Sequence, residues 1–401
     1  MSILSNKHIL LGVTGSIAGY KAADLASKLA QAGALVDVLL TGAGEKFITP
    51  LSFQSVTGRR AYIDKDLWGH EAHILHVSFG KTADLLVIAP CTANTIAKLA
   101  NGVADNLLTV TALAAECPLV IAPAMDGGMY YHPTTQENLA KLKKGGVIIV
   151  GPAEGHLASG LTGKGRMIEP EEIFGHIRVV LGKNGKLAGK RVVVTAGGTQ
   201  EALDPVRVIT NHSSGKQGYA VAQAALDAGA DVCLVTAPTA LTPPVGARVV
   251  KVDSVQEMLS AVLAESADVL IMAAAAADFV PKKTAKVKMK KRDGIPQVEL
   301  TTAPDILGTV SSRGSEKKRF HIAIGFAAES QDLLENAAEK LQSKKLDLIV
   351  ANDISSKDAG FAVDTNRVTL LFADGTREIL PLMSKTEVAE KIIEHTSRLL
   401  E

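Results

Sequence analysis

The chain has 401 residues, 47% of them hydrophobic and only 4% aromatic, and its 43 Lys and Arg against 42 Asp and Glu leave a formal net charge of +1. That length permits two or three domains with separate cores, and that composition excludes a disordered chain. Cancelled charge excludes a global field able to hold nucleic acid or an anionic membrane, so any anion site must be local. The cysteines Cys91, Cys117 and Cys233 sit in apolar contexts without CxxC spacing, which points to reduced thiols and against a zinc knuckle. The opening "MSILSNKHILLGVTGS" lacks a basic leader, and the longest apolar run, "VLIMAAAAA" (269–277), stops at Asp278, short of the roughly 18 residues a membrane span needs. The expected location is cytoplasmic.

In chain order, "HILLGVTGSIAGYKAADLASKLAQAGALVDVLLTGA" (8–43) predicts a buried strand, a Gly turn, a helix with Ala22, Leu25, Ala26 and Leu29 on one face, and a second strand. The order recurs from "RVVVTAGGTQ" (191–200) through "GYAVAQAALDAGADVCLVTAP" (218–238), with Val221, Ala224, Ala225 and Ala228 at helical spacing. Third strands follow in both halves, "ADLLVIAP" (83–90) and "ADVLIMAA" (267–274). Apolar strands alternating with amphipathic helices predict parallel sheets covered on both faces, here two Rossmann-like α/β domains in tandem. "LGKNGKLAGK" (181–190) has the composition of a linker. In such sheets ligands sit beyond the carboxyl ends of the strands, where the turns at 12–19 and 197–198 fall.

"GVTGSIAGYK" (12–21) is not a dinucleotide fingerprint, and Thr41 ends the second strand where a ribose-binding carboxylate would stand. This weighs against two NAD(P)-dependent oxidoreductase domains. A seat for a single phosphate at the helix start and a plain turn capped by Ser16 both fit the stretch. The wider set "HVSFGKTADLLVIAPCTANTIAKLANGVADNLL" (76–108), "APAMDGGMYYHP" (122–133) and "EGHLASGLTGKGRM" (154–167) resembles the flavin-dependent cysteine decarboxylases that act on phosphopantothenoylcysteine. The resemblance implies FMN as cofactor, with Gly15, Ser16 and Thr41 on its phosphate side and Thr92, Ala93 and Asn94 lining the flavin. It also implies a catalytic role for His76, a residue that in isolation reads as a cap near a helix start. In the implied scheme, oxidation of the thiol end to a thioaldehyde provides the electron sink for loss of carbon dioxide, and the electrons then return to the enethiolate. His132 and His156 read as surface or capping residues.

The chain departs from that family at two places. Asp126 follows "PAM" where the family has Asn, and Ser159 stands in the flap where many members have Cys. An ionised Asp only accepts hydrogen bonds, and a serine hydroxyl is a far weaker acid than a thiol. Three alternatives follow: a protonated Asp126 that doubles as donor, another donor, or a flavin-binding module without chemistry. Retained activity is the expectation, because His76, the flavin motifs and "GKGRM" are all present, with Ser159 in the catalytic set and Asp126 at the substrate.

"VVVTAGGTQEALDPVRVITNHSSGKQGYAVAQAA" (192–225) sets a cluster of donors at a helix start. With "MAAAAADFVPKKTAKVKMKK" (272–291), "IGFAAES" (324–330), "KLQSKKLDLIVAND" (340–353) and "GFAVDTN" (360–366), it resembles the phosphopantothenate–cysteine ligases of coenzyme A biosynthesis. The resemblance implies CTP, magnesium, 4'-phosphopantothenate and cysteine as substrates. Asn211 would settle the acyl-cytidylate and Lys288 would support the attack by cysteine. Asp278 would handle the nucleotide and its metal, Phe326 would line the substrate site, and Lys340 and Lys344 would hold the triphosphate. Seven basic side chains fall within positions 282–292, and "KVKMKK" reads as an extended strand with Lys286, Lys288 and Lys290 on one side and Val287 and Met289 packing down on the other. Lys282 and Lys283 are expected in solvent. The whole predicts an FMN-dependent decarboxylase at 1–180, a linker at 181–190 and a ligase at 191–401. The expected assembly is a homo-oligomer of decarboxylase trimers and ligase dimers, for which a dodecamer is one closed arrangement.

Overall fold

The computed structural model describes residues 2–68, 72–291, 294–312, 320–329, 332–353 and 363–401. The chain divides into two compact units, Met1–Leu181 and Gly182–Glu401.

In the first unit the chain runs β1 (His8–Val13), α1 (Gly19–Gln31), β2 (Leu35–Leu40), α2 (Pro50–Thr57), β3 (Ala61–Ile63), α3 (Ala72–Thr82), β4 (Leu85–Cys91), α4 (Ala93–Asn101), α5 (Leu107–Ala114), β5 (Leu119–Pro123), α6 (Gly127–Tyr131), α7 (Pro133–Lys144) and β6 (Ile148–Ile149). The strands form one parallel sheet in the order β3-β2-β1-β4-β5-β6. An antiparallel arm, β7 (Ala153–His156) and β8 (Thr162–Arg166), leads into α8 (Pro170–Gly182). Period-2 alternation serves both faces of the sheet: Ile9, Leu11, Leu85 and Val87 enter one core, and Leu10, Leu86 and Ile88 enter the other. The predicted face of α1 is buried in full.

The second unit repeats the plan with β9 (Arg191–Ala196), β10 (Gln200–Ala202), β11 (Val208–Thr210), α9 (Lys216–Asp227), β12 (Asp231–Thr236), β13 (Arg248–Lys251), α10 (Val255–Ala264) and β14 (Val269–Met272). There follow β15 (Phe279–Pro281), β16 (Leu300–Thr302), α11 (Ile306–Ser312), β17 (Ile322–Glu329), α12 (Leu333–Ser343), β18 (Leu348–Asp353), β19 (Thr365–Asn366), β20 (Val368–Phe372), β21 (Arg377–Ile379), β22 (Met383–Ser384) and α13 (Lys385–Leu399). The sheet order is β13-β12-β9-β14-β17-β18-β20-β21. Its first six strands are parallel, but β20 lies antiparallel to β18, and β21 returns along β20 through the tight turn at Gly375.

In each sheet the opening strand, β1 or β9, lies between strands wound to opposite sides. The crevice at the carboxyl ends of that switch is open to a ligand. Of the segment 181–190, linker-like in composition, the first two residues end α8 and the rest is a packed turn of the second unit. Leu187 is fully buried in that unit's core and its N–H donates to Ala228 O at 2.7 Å. Helix α9 lies directly on β9: a Cβ at Gly218 would stand 2.6 Å from Ala196 Cβ and 2.9 Å from Thr195 O. Gly218→Ala therefore lowers stability by about 1–3 kcal/mol through overpacking, a change checked by the urea midpoint of the second unit's unfolding transition.

Candidate active sites

At the switch of the first sheet, Gly15, Ser16, Thr41, Thr92, Ala93 and Asn94 line a single cavity of about 610 Å³. Each follows the end of a strand, β1, β2 or β4. Ser16 stands in the turn ahead of the helix. Helix α1 begins at Gly19 with no side-chain cap, while Ser16 Oγ accepts from Ala18 N at 3.3 Å, so Ser16 shapes the turn without capping the helix. Thr41 is buried and accepts from Gly44 N at 3.1 Å, which closes the loop after β2. Thr92 caps α4 by accepting from Thr95 N, and its own N–H donates to Thr14 Oγ1 at 3.1 Å. Two glycines of these turns have no room for a side chain. A Cβ at Gly15 would lie 2.6 Å from Ala43 Cβ, and one at Gly44 would lie 2.6 Å from Val13 O. At Gly15 the backbone itself therefore comes to the cavity, beside Ser16, Thr92, Asn94 and Lys98. Lys98, ion-paired with Asp105 at 2.7 Å, and Asp64 also line it. Sequence reasoning passed over these three because nothing in their spacing ties them to the Gly turn.

A second cavity, of about 440 Å³, adjoins the first through Ser16, Ala124 and Met125 and is lined by Asp126, His156 and Ser159. Asp126 caps α6, accepting from Gly128 N at 2.9 Å, and Ser159 Oγ donates to its other oxygen at 2.7 Å. The Ser159 hydroxyl, then the Gly128 N–H, hold the Asp126 carboxyl below the usual carboxylate range against the weak opposing effect of burial. With both oxygens accepting, Asp126 has here the hydrogen-bond pattern of an ionised carboxylate and not that of a protonated donor. His132 is a capping residue, its Nδ1 accepting from Thr134 N at 3.3 Å.

His76 does not line either cavity. It lies inside α3 rather than at its start, because the helix already begins at Ala72, beside exposed Ile74 and Val77. Its Nδ1 is buried without a hydrogen-bond partner.

In the second unit a cavity of about 760 Å³ opens at the carboxyl ends of β14 and β17 and at the start of α9, and it gathers Asn211, Asp278, Phe326, Lys340 and Lys344. Asn211 Nδ2 donates to Ala275 O at 3.2 Å and to Ala276 O at 3.3 Å, which fixes the amide in the cavity. Lys340 Nζ donates to Phe326 O at 2.9 Å, and Lys344 is ion-paired with Asp305. Burial works to raise the Asp305 pKa, but the Lys344 hydrogen bond, the Gly308 N–H and the charges of Lys344 and Lys340 outweigh it and lower the value. Asp305 carried no motif of its own. Its approach to Lys344 is set by α11 and α12, elements far apart in sequence.

Lys288 is outside this lining. The run 282–291 is a loop between β15 and β16 and not the expected strand, since it has no ladder partner of its own. Met289 is half-buried as expected, but Val287 is 75% exposed, so the two apolar residues do not pack down together. Lys282 and Lys283 are exposed as expected, with Lys282 paired to Glu299 at 3.4 Å. Arg292 and residues 360–362 of the "GFAVDTN" stretch lie outside the described residues. The loop is anchored by Asp204, whose side chain is fully buried. Asp204 accepts from Val206 N at 2.8 Å and Arg207 N at 2.9 Å with one oxygen, and from Met289 N at 3.1 Å with the other, while Arg207 donates to Met289 O. Both backbone groups of the residue after Lys288 are thereby held. Among the described residues no group of three His, Cys, Asp or Glu side chains is placed to hold a metal ion, and no helix is long and apolar enough to cross a membrane.

The family model described as "DNA/pantothenate metabolism flavoprotein C-terminal domain" matches residues 187–399, and that described as "Flavoprotein" matches residues 2–182. The "Coenzyme A biosynthesis bifunctional protein CoaBC" of Bacillus subtilis (strain 168) is 46% identical, over 99% of this chain and 98% of its own. The chain belongs to the bifunctional coenzyme A biosynthesis family. The protein of the same description from Vibrio vulnificus (strain CMCP6) is 43% identical over 100% of both chains. A crystal structure of the C-terminal domain of a coenzyme A biosynthesis bifunctional protein CoaBC aligns at 41% identity with a TM-score of 0.46, covering 54% of this chain and 98% of that one. Membership in the family carries two activities, those of a ligase and a decarboxylase of coenzyme A biosynthesis.

Two outcomes follow from the geometry. Asp204→Asn keeps an acceptor for the 206–207 turn but turns a donor towards the Met289 N–H, so amide exchange at Met289 accelerates on the order of tenfold, measured by hydrogen–deuterium exchange. Ser159→Ala moves the Asp126 pKa up towards its ordinary value, read by carboxyl-carbon NMR titration. The sign is that of a depressed carboxyl group: the stabilisation is present above the ordinary pKa and is lost as pH falls through the folded value.

Proposed function

We propose that the second unit joins 4'-phosphopantothenate to cysteine with CTP, through an acyl-cytidylate, and that the first unit, holding FMN, decarboxylates the product to 4'-phosphopantetheine. The observation that carries this reading is that all six expected cofactor residues line one switch-point cavity, and five of the six expected ligase residues line the other.

In the first unit, Gly15, Ser16 and Thr41 would hold the FMN phosphate by backbone N–H groups and hydroxyls, with Thr92, Ala93 and Asn94 beside the ring. When bound there, FMN supplies a two-electron sink that the twenty side chains lack. Asp126 and Ser159 lie in the adjoining cavity, where the substrate cysteine end would sit. His76 is the proton-handling group of this reading. Because it lies outside its own chain's cavities, the reading requires a second copy to bring α3 to the site. The exposed Ile74 and Val77 beside it support such a contact, in keeping with decarboxylase trimers, while the ligase units pair as dimers.

In the second unit a carboxylate oxygen attacks the α-phosphorus of CTP and pyrophosphate leaves. The cysteine amine then attacks the acyl carbon and CMP leaves. Lys340 and Lys344 neutralise the triphosphate, whose repulsion for the incoming carboxylate is the barrier to the first step. Asp278 would hold the magnesium that accompanies CTP, which would offset phosphate charge there. Asn211, fixed by two carbonyls, steadies the acyl-cytidylate. Lys288 reaches the site when the Asp204-anchored loop closes over it.

A product assay with 4'-phosphopantothenate, cysteine and either CTP or ATP, following pyrophosphate and carbon dioxide separately, tests each half. The expected result is pyrophosphate release with CTP, and carbon dioxide release from protein that carries a flavin absorbance band. Lys288→Gln is expected to slow amide formation at least tenfold with accumulation of acyl-cytidylate. His76→Asn is expected to lower carbon dioxide release by about 10²–10⁴-fold while ligation is unchanged. Ligation without carbon dioxide from flavin-loaded wild type would leave the first unit as a flavin-binding module.

A further inference from the structure

Lys98 is the only cation among the described residues that line the 610 Å³ cavity of the first unit, and two carboxylates, Asp64 and Asp105, line it too. Asp64 is engaged by backbone: its oxygens accept from Gly42 N at 2.8 Å and Leu107 N at 3.2 Å, which ties the loop after β2 to the start of α5. Lys98 and Asp105 engage each other. Lys98 Nζ donates to the two Asp105 oxygens at 2.8 and 2.7 Å, and that hydrogen bond above all holds the Asp105 carboxyl below its usual range. The chain between them is a tight turn, in which Gly102 ends α4 in the left-handed conformation and Val103 N donates to Lys98 O at 2.9 Å. Short connection and paired hydrogen bonds fix the ammonium in place, and the Lys98 side chain is only 23% exposed.

On α4, Lys98 stands four residues after Asn94, a spacing that puts both on one face of the helix, and both line the cavity. With Thr92, Ala93 and Asn94 beside the flavin ring, the ring and the ion pair would share that face. A flavin ring is uncharged when oxidised and gains negative charge on two-electron reduction, so charges beside it set how readily it is reduced.

We propose that Lys98 sets the reduction potential of the flavin held in the first unit and that Asp105 tempers it. This rests on the FMN reading. The Lys98 ammonium favours the reduced, anionic ring, and the Asp105 carboxylate works against it. The reaction needs both influences. Loss of a hydride from the carbon that bears the sulfur turns the substrate's thiolate into C=S, carbon dioxide leaves, and a proton from water takes its place. A hydride returned to the same sulfur-bearing carbon restores the thiolate, so the two electrons removed first are given back last. A lone cation would retain them too firmly for the return, and carboxylates alone would oppose their uptake. At an effective dielectric of about 20, one unit charge within a cavity of this size shifts such an equilibrium on the order of tenfold to a hundredfold.

The test is reductive titration of the FMN-loaded full-length protein against a reference dye of known potential, for wild type, Lys98→Met, Lys98→Arg and Asp105→Asn. Lys98→Met is expected to move the two-electron equilibrium about tenfold towards oxidised flavin, a fall of about 30 mV, and Asp105→Asn to move it by about as much the other way. Lys98→Arg, which keeps the charge, is expected to stay within about threefold of wild type. A merely structural role would weaken the binding of both redox states alike and leave the potential where it is. Lys98→Gln gives the same reading if Lys98→Met does not fold. A Lys98→Met potential equal to that of wild type, or shifts of the same sign in Lys98→Met and Asp105→Asn, overturns the proposal. Wild type that binds FMN but releases no carbon dioxide would overturn the decarboxylation assigned above, while the potentials would still read the part played by Lys98.

Discussion

Burial of parallel strands on both faces is the constraint on which the rest of this structure depends. Strands such as "HILLGV" and "RVVVTA" have no solvent side, so the sheets cannot carry chemistry along their lengths. In β1, β4, β9 and β14 polar side chains stand only at or near the strand ends. At the carboxyl end of each switch, chain leaving in opposite directions opens a gap that side chains do not fill. Gly15, Thr41 and Thr92 in the first unit, and Asn211, Asp278 and Phe326 in the second, line the cavities that open there.

The same frame yields cavities of different chemistry. In the first unit the glycine cradle and three hydroxyl-bearing turns present backbone and hydroxyl groups, and the one lysine on the wall is matched by Asp105. Such a surface suits a ligand with one phosphate and a flat ring. In the second unit four lysines line the cavity, with Asp305 and Asp364 bound to two of them. That surplus of cations suits a reaction in which two anions must meet, which the near-zero net charge of the whole chain would not reveal.

The lysine loop shows how a motif is used away from where its chemistry is expected. "DPVR" lies between β10 and β11, yet its Asp and Arg clasp the backbone at Met289 and set the attachment of the loop that bears Lys288. The loop is tied as well at Thr284 and Ala285, which donate to the carbonyls of Ala202 and Leu203, while its lysines stay exposed.

Tandem Rossmann-like units, the buried face of α1, and the gathering of cofactor and nucleotide residues at strand ends were legible in the sequence, because period-2 and period-3.6 patterns and Gly turns are local signals. The packed turn at 183–190, the antiparallel edge of the second sheet and the loop in place of a strand at 282–291 were not, since composition and alternation say nothing about which distant backbone supplies a hydrogen-bond partner. His76 illustrates the limit: its register against β4 could be read, but its position outside both cavities follows from where α3 packs. Lys385 and Asn352 carried no signal either. One opens the last helix, which packs on α9, and the other sits near the end of a buried strand, so only the tertiary fold brings them to the cavity that Lys216 lines. The sequence by itself determined which segments are strands and helices and which turns face a ligand, because those depend on neighbours in the chain. The tertiary structure alone decided which charges share a cavity, because that depends on how strands far apart in the chain are ordered side by side.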